Sequence, residues 1–427
     1  MALNSKFKPS FEEFEIYLYK TLSNEDFDNL TNTQNLKNSI NITAFLEFLN
    51  FETRSQFIDS NQNKNLKYLK KYSNLPIVLV EAPYGWFEII SENKSIISIH
   101  GNHQVYLCLE SESGSVEIKK KQNSTQEFLG KDVTIGLIDS GIDQSHPDLS
   151  NKIKKIYNVS GEANGDFNGH GTFLAGIIAG SRNENKDQNY GISPEVSLID
   201  IKVFNREGKA TVAEILEAID LILSEIDEKT PDIIVFGCAD WSFGDKSLIA
   251  RYCEILNQNN IAIVTPTGNF GPDLGNISSI GGNPNVLTIG TINKESKVPF
   301  FSGRSKFIDL NLPGKDIRSA MSSKHVIGTQ LEPKLKYVNL SGTSISAAIA
   351  GGLLALIKES NPSLSPFQLY KLLKTTSQDK RTPHIDIITN KKKEKKFSTF
   401  SFSSIFKIAS LVSGGIFILF LVLFYIF

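Results

Sequence analysis

Three side chains that together perform acyl transfer occur in a fixed order along this chain, each beside small residues. They are Asp139 in Asp139-Ser140-Gly141, His170 in His170-Gly171-Thr172 and Ser344 in Gly342-Thr343-Ser344. A hydroxyl is a weak nucleophile until a base takes its proton. An imidazole suits that task near neutral pH, and a carboxylate fixes the imidazole's orientation and stabilises its charged form. Read singly, Asp139 is a turn former and Ser344 a helix N-cap that can also be a nucleophile. His170 stands apart from His100, His103, His146, His325 and His384, which read as surface or turn residues.

Such groups need rigid elements to hold them. The apolar, β-branched run from Val133 to Asp139 predicts a buried parallel strand ending at the acid. His170 opens an apolar helix-like run over 173–179. Ser344 opens a small-residue stretch over 345–357 with helical spacing, after a glycine that permits close backbone approach. Further strands are expected over 197–204, 232–238, 261–266 and 286–292, and helices over 211–226, 245–258, 344–359 and 365–375. This alternation implies an α/β fold with a doubly wound, mostly parallel sheet. The acid then lies at the carboxyl end of its strand, where open α/β sheets place their sites.

Four segments carry a family resemblance: DSGIDQSHPDL at 139–149, HGTFLAG at 170–176, TGNFG at 267–271 and GTSISAAIAG at 342–351. They resemble the motifs of the subtilisin-like serine proteases, whose triad runs Asp, His, Ser. The chymotrypsin type runs His, Asp, Ser, and the α/β-hydrolases run Ser, acid, His. The resemblance spans about 128–376. It implies a subtilisin-type fold and a serine endopeptidase, with Ser344 attacking, His170 as base then acid and Asp139 orienting the imidazole. Asn269 and the Ser344 N–H would then hold the oxyanion. An extended protein or peptide substrate would pair with the strand edge at Val235, Phe236, Gly237, Cys238 and Ala239, beside Thr267 and Gly268. The triad chemistry requires no cofactor and assigns no metal to the reaction. The family often binds calcium through the residue matching Asp148, with further ligands from a loop matching 181–190. Here that polar loop reads either as a calcium cradle or as a solvated turn.

The chain departs from the family pattern at two places. Ala348 stands four residues after the nucleophile, where the family usually has proline. Gly237-Cys238-Ala239-Asp240 replaces the usual Ser-Leu-Gly-Gly, so side chains stand where relatives often carry bare backbone, and substrate preference does not carry over. Phe173 receives no chemical role. A non-catalytic peptide-binding module on a protease fold is the competing reading, opposed by the intact set of chemical groups.

The 427 residues exceed one typical domain, and a net charge of −1 gives no global argument for nucleic acid. Three cysteines, Cys108, Cys238 and Cys253, form neither a disulfide framework nor a zinc pattern. The expected organisation is a small α+β N-terminal domain over 1–109, a linker over 110–130, the catalytic domain over 131–378, a basic linker over 379–407 and a transmembrane helix over 408–427. In the first of these, Phe11 to Leu22 reads as an amphipathic helix. A strand over 76–83, a helix over 84–91 and a strand over 95–100 resemble part of the family's inhibitory propeptide. The run Ile408 to Phe427 is uncharged and has the length of a membrane span. Lys391 to Lys396, which carries five lysines and one glutamate, precedes it and marks the cytoplasmic side. With no apolar leader at the N-terminus, the expectation is a single-pass C-terminal anchor and a cytoplasmic catalytic domain. Export to the outside is the alternative.

Overall fold

A computed structural model describes residues 18, 37, 40–61, 66–109, 128–181, 191–226, 230–240, 247–273, 275, 277–324 and 336–375. The anticipated calcium loop over 182–190, most of the 110–130 linker, the basic linker and the span over 408–427 lie outside these residues, as does Phe11 to Leu22 apart from Leu18. Among the described residues no helix is long and apolar enough to cross a membrane.

The first elements described in full are β1 (Asn41–Phe48), α1 (Phe51–Ser60), β2 (Lys67–Lys71), β3 (Ile77–Pro83), α2 (Tyr84–Ile90) and β4 (Ile96–Gly101). The strands form an antiparallel sheet in the order β2-β3-β1-β4. Strand side chains alternate between faces, and β1 uses both. Ile42, Ala44, Leu46 and Phe48 pack with Phe57, Tyr84 and Phe87 in this domain's own core. Phe45 turns the other way, into a core shared with the catalytic domain. The sequence reading missed β1, although Thr43 and Glu47 alternate with Ile42, Ala44, Leu46 and Phe48; Phe45 alone breaks that alternation.

After β5 (Gln104–Leu107), the large sheet is built from β6 (Thr134–Asp139), β7 (Ile153–Asn158), β8 (Ser197–Lys202), β10 (Ile233–Phe236), β12 (Ala262–Pro266), β13 (Leu287–Ile292) and β14 (Leu310–Pro313). All seven strands are parallel, in the order β14-β13-β12-β10-β6-β8-β7. Helices α3 (His170–Ala179) and α6 (Thr343–Ser360) cover one face. Helices α4 (Val212–Leu223) and α5 (Leu248–Gln258) cover the other. The chain's last described element is α7 (Pro366–Thr375).

A parallel sheet buried on both faces needs continuous apolar strands, and β10 and β13 read IIVF and LTIGTI, buried throughout. Strand β7 escaped prediction because IKKIYN is only half-buried at the sheet edge. Two short pairings complete the fold. Strand β5 lies between β9 (Lys209–Thr211) and β11 (Cys238–Asp240), and β15 (Ile317–Ala320) pairs with β16 (Tyr337–Leu340).

Candidate active site

Asp139 ends β6 and is buried, as are His170 and Ser344. His170 Nδ1 lies 2.9 Å from Asp139 Oδ1 and 2.8 Å from Oδ2. His170 Nε2 lies 3.0 Å from Ser344 Oγ. A carboxylate, an imidazole and a hydroxyl thus form one contact chain drawn from three separate elements. Asp139 has room only because its neighbour is Gly237, where a Cβ would fall 1.7 Å from Oδ2.

Local hydrogen bonds hold each member. Asp139 Oδ1 accepts from the Ser140 N–H at 2.7 Å. The turn into α3 is organised by buried Asp166, which accepts from the backbone N–H groups of Asn168, Gly169 and Thr172 and from the hydroxyls of Ser140 and Thr172. The sequence reading assigned Asp166 nothing, although an acid four residues before the histidine is the visible signal. Ser344 lies in the first turn of α6, and the N-cap is Gly342 rather than Ser344. Ser344 therefore stands at the positive end of the helix dipole. Ala348 is buried inside that 18-residue helix, which runs past it unbroken.

Asn269 faces the same helix start. Its Oδ1 accepts from the Thr343 N–H at 3.1 Å and from the Thr343 hydroxyl at 2.9 Å. That orientation leaves Nδ2 buried with no hydrogen-bond partner among the described residues. The left-handed φ in this loop, 88°, belongs to Gly268 and not to Asn269.

The cleft beside the triad is filled by the chain itself. Tyr106 pairs antiparallel with Ala239 on one side and with Lys209 on the other. The Cys108 N–H donates to the Gly237 carbonyl at 3.3 Å. The Ser344 hydroxyl lies 2.8 Å from the Cys108 carbonyl oxygen, to which it donates. Here Gly342 matters, because a Cβ at that position would sit 2.1 Å from the same oxygen. Residues 104–108 thus lie as an extended strand whose final carbonyl reaches the hydroxyl of Ser344.

This arrangement corrects part of the expected pairing edge. Val235 and Phe236 are buried within the large sheet, and Val235 pairs with Val264 on one side and Leu137 on the other. The free edge starts at Gly237, where the chain leaves β10. Gly237, Cys238 and Ala239 lie along it, and Asp240 extends it. Thr267 is buried, its N–H donating to the Ile289 carbonyl.

Other expectations meet mixed outcomes. His146 is buried, not a surface residue. Its Nδ1 accepts from the Asp148 N–H, and its Nε2 lies 2.9 Å from the Lys336 carbonyl oxygen. His103 lies 3.8 Å from the buried Asp240 carboxylate. Asp148 Oδ2 accepts from the Tyr337 hydroxyl at 2.8 Å, while Oδ1 is buried without a hydrogen-bond partner among the described residues. No group of three acidic, His or Cys side chains converges there or elsewhere among the described residues. The three cysteines are buried free thiols, and burial raises the pKa of Cys238 and Cys253.

Electrostatics under the site are dominated by burial. Asp200, on β8 next to β6, is pushed up to about 8 chiefly by desolvation, with the nearby Asp166 and Asp139 charges adding to it. Burial pulls Lys202 down. Its Nζ donates to the Ser140 and Phe204 carbonyl oxygens.

Comparisons with known proteins bear on the family and the fold. The model of the subtilase family matches residues 130–396. The chain is 28% identical over 373 residues to serine protease AprX of Bacillus subtilis, covering 79% of this chain and 83% of that one. It is 30% identical over 270 residues to the major intracellular serine protease of the same organism, covering 60% of this chain and 78% of the relative. Among solved structures, fervidolysin from Fervidobacterium pennivorans superposes with a TM-score of 0.66 at 17% identity, over 80% of this chain and 58% of that one. At that identity the likeness speaks to the fold alone.

Proposed function

This chain belongs to the subtilase family, and we propose that it hydrolyses peptide bonds with Ser344 as nucleophile, His170 as base then acid and Asp139 as the orienting carboxylate. It is a serine endopeptidase. The assignment of roles rests on one observation, the contact chain from Asp139 through His170 and Ser344 to the Cys108 carbonyl. In the productive state His170 accepts the Ser344 proton at Nε2 while Nδ1–H donates to Asp139. Oγ attacks the carbonyl carbon, and the oxygen takes up negative charge. The Asn269 Nδ2 donor and the Ser344 N–H meet that charge, at no reorganisation cost if both are already in place. His170 then protonates the departing amine, and water repeats the sequence on the acyl-enzyme. Ser344→Ala should abolish peptidase activity with the fold intact. A variant that cleaves at the wild-type rate would remove Ser344 from the mechanism.

A second reading follows from the filled cleft. We infer that residues 1–109 include an inhibitory domain whose final strand is held as a substrate and is cut between Cys108 and Leu109. The reaction makes a Cys108 carboxylate and a free Leu109 amine at the expense of one water. The docking that supports it is extensive. Asp220 accepts from the Ser73 and Asn74 N–H groups at 2.9 and 2.6 Å. Glu47 pairs with Arg251, and Phe45, Tyr72, Leu75 and Ile77 share an apolar core with Ile215, Ile219 and Tyr252. N-terminal sequencing of the expressed chain should find a terminus at Leu109 that Ser344→Ala abolishes. The same cut in Ser344→Ala would assign it to another protease.

Membrane attachment through 408–427, with the protease domain in the cytoplasm, stays part of the proposal on the sequence pattern given above. Fractionation of the full chain against one lacking 408–427 tests it: equal solubility would refute the anchor. Calcium enters only as structural support at the Asp148 Oδ1 oxygen. A melting temperature unchanged by calcium or chelator would remove it.

A further inference from the structure

We propose that Phe270 is a specificity-determining residue: with Ala239 it closes the cleft beyond the first substrate position, so this protease cuts after small side chains. The inference deepens the peptidase reading and rests on the register in which Cys108 is the first position, the residue whose carbonyl reaches Ser344.

The faces of the docked segment follow from its pairing. Side chains alternate along a strand, and directly opposed residues of a pair share a face. Val105, Leu107 and Cys238 pack with the apolar core that α4 and α5 cover. Leu107 pairs directly with Cys238, and Tyr106 with Ala239. Tyr106, Cys108 and Ala239 therefore lie on the opposite face. The ladder continues through Cys108, whose N–H donates to the Gly237 carbonyl at 3.3 Å. Cys108 and Ala239 are thus diagonal neighbours, within side-chain reach of each other. Cys108 is 2% exposed, so its small side chain is enclosed there.

Gly268 lies across from Ala239. A Cβ built at Gly268 would fall 3.3 Å from Ala239 Cβ, and 2.4 and 2.6 Å from Phe270 Cε2 and Cδ2. The Phe270 ring thus occupies the place a side chain at 268 would take, and it faces the same point as the Ala239 methyl. The loop holds it there. The Gly268 carbonyl accepts from the Gly303 N–H at 2.9 Å, and the Gly271 N–H donates to the Phe301 carbonyl at 2.8 Å, one on each side of Phe270. A side chain of cysteine's size fits beside Ala239, as Cys108 does. A long or aromatic one must displace the ring, and close-packed sites resist such overfilling. Ala239 is one of the side chains standing where relatives often carry bare backbone, so this closure belongs to the present chain.

The test uses the full-length protein and peptides reproducing residues 102–111, either unchanged or carrying Cys108→Ala, Cys108→Leu or Cys108→Phe. Wild type should cut the unchanged and Cys108→Ala peptides about tenfold faster in kcat/KM than the other two, the lower range of selection by pocket size. Phe270→Ala should raise the rate on the Cys108→Phe peptide relative to the Cys108→Ala peptide by about tenfold. That ratio is taken within one preparation, so a partly unfolded variant does not imitate it. Equal wild-type rates on the Cys108→Ala and Cys108→Phe peptides would overturn the proposal, as would a ratio unmoved by Phe270→Ala. Hydrolysis of casein with no peptide cut at the 108–109 bond would instead overturn the register. Hydrolysis of neither would overturn the peptidase reading itself.

Discussion

Gly237→Ala tests how tightly the fold holds the orienting acid. An added Cβ would stand 1.7 Å from Asp139 Oδ2, whereas real Cβ atoms essentially never approach closer than 3.0 Å. One partner must therefore give way by about 1.3 Å, the difference between those distances. The backbone has little freedom, because the Gly237 N–H donates to the Ile138 carbonyl and its carbonyl accepts from Cys108. The Asp139 side chain is the group left to move, away from His170. A misplacement of about 1 Å costs on the order of 10²-fold, and complete loss of the orienting acid about 10⁴-fold. The expected fall in kcat lies between those limits, about 2.7–5.4 kcal/mol of transition-state stabilisation. KM should change little, since the pairing groups of residue 237 remain. Steady-state kinetics on a peptide substrate, with circular dichroism as the folding control, gives the number. The same substitution in an Asp139→Ala background should cost little more, because the clash is gone. A kcat within threefold of wild type, or a fully additive loss in the double variant, would refute the steric argument.

Asn269→Ala should lower kcat by about 10²–10³ with KM nearly constant, since the unpaired Nδ2 is used only when charge develops; a change confined to KM would move Asn269 to a binding role. Asp200, raised by burial to about 8, keeps a proton in the folded chain that the unfolded chain releases near pH 4, so its favourable contribution is present in acid and fades as pH rises toward 8. Asp200→Asn, which keeps an acceptor for the Ile142 N–H, should lessen the loss of denaturant resistance between pH 5 and pH 8; an equal loss in variant and wild type would contradict the raised pKa. Glu47 behaves oppositely. Burial acts to raise it, but the His100 hydrogen bond, the Arg251 and His100 charges and the Ser98 hydrogen bond outweigh that and hold it at about 2. Its contribution is present above about pH 4.5 and lost toward pH 2, so in the Ser344→Ala chain Glu47→Gln should weaken stability at pH 6 more than at pH 3, and equal weakening would sink the assignment.

The three reacting groups were legible because each sits in a short segment whose small residues and flanking apolar run reveal its setting. The parallel sheet was legible for a related reason, since strands buried on both faces leave an uninterrupted apolar signature, as in Ile233–Phe236. What escaped was decided by tertiary pairing. Ile153–Asn158 is a half-buried edge strand with two lysines, and Leu310–Pro313 is four residues long. Asp166 looks like an ordinary polar turn residue until the fold brings hydroxyls and N–H groups around it. Val235 and Phe236 were read as cleft residues because strand and cleft edge are continuous in sequence. The change of partner at Gly237 is a three-dimensional fact. The occupant of the cleft was the least predictable feature, because its pairing with Lys209–Thr211 and Cys238–Asp240 joins residues more than 100 positions apart.

The central claim is that Ser344 is a nucleophile activated by His170. Labelling with a fluorophosphonate, followed by mass mapping of the modified peptide, tests it most directly, because the reagent phosphonylates a serine only where a base has activated it. The protein should be labelled at Ser344 alone, and His170→Ala should abolish the label while leaving the fold intact. Labelling at another serine, or undiminished labelling of Ser344 without His170, would contradict the account.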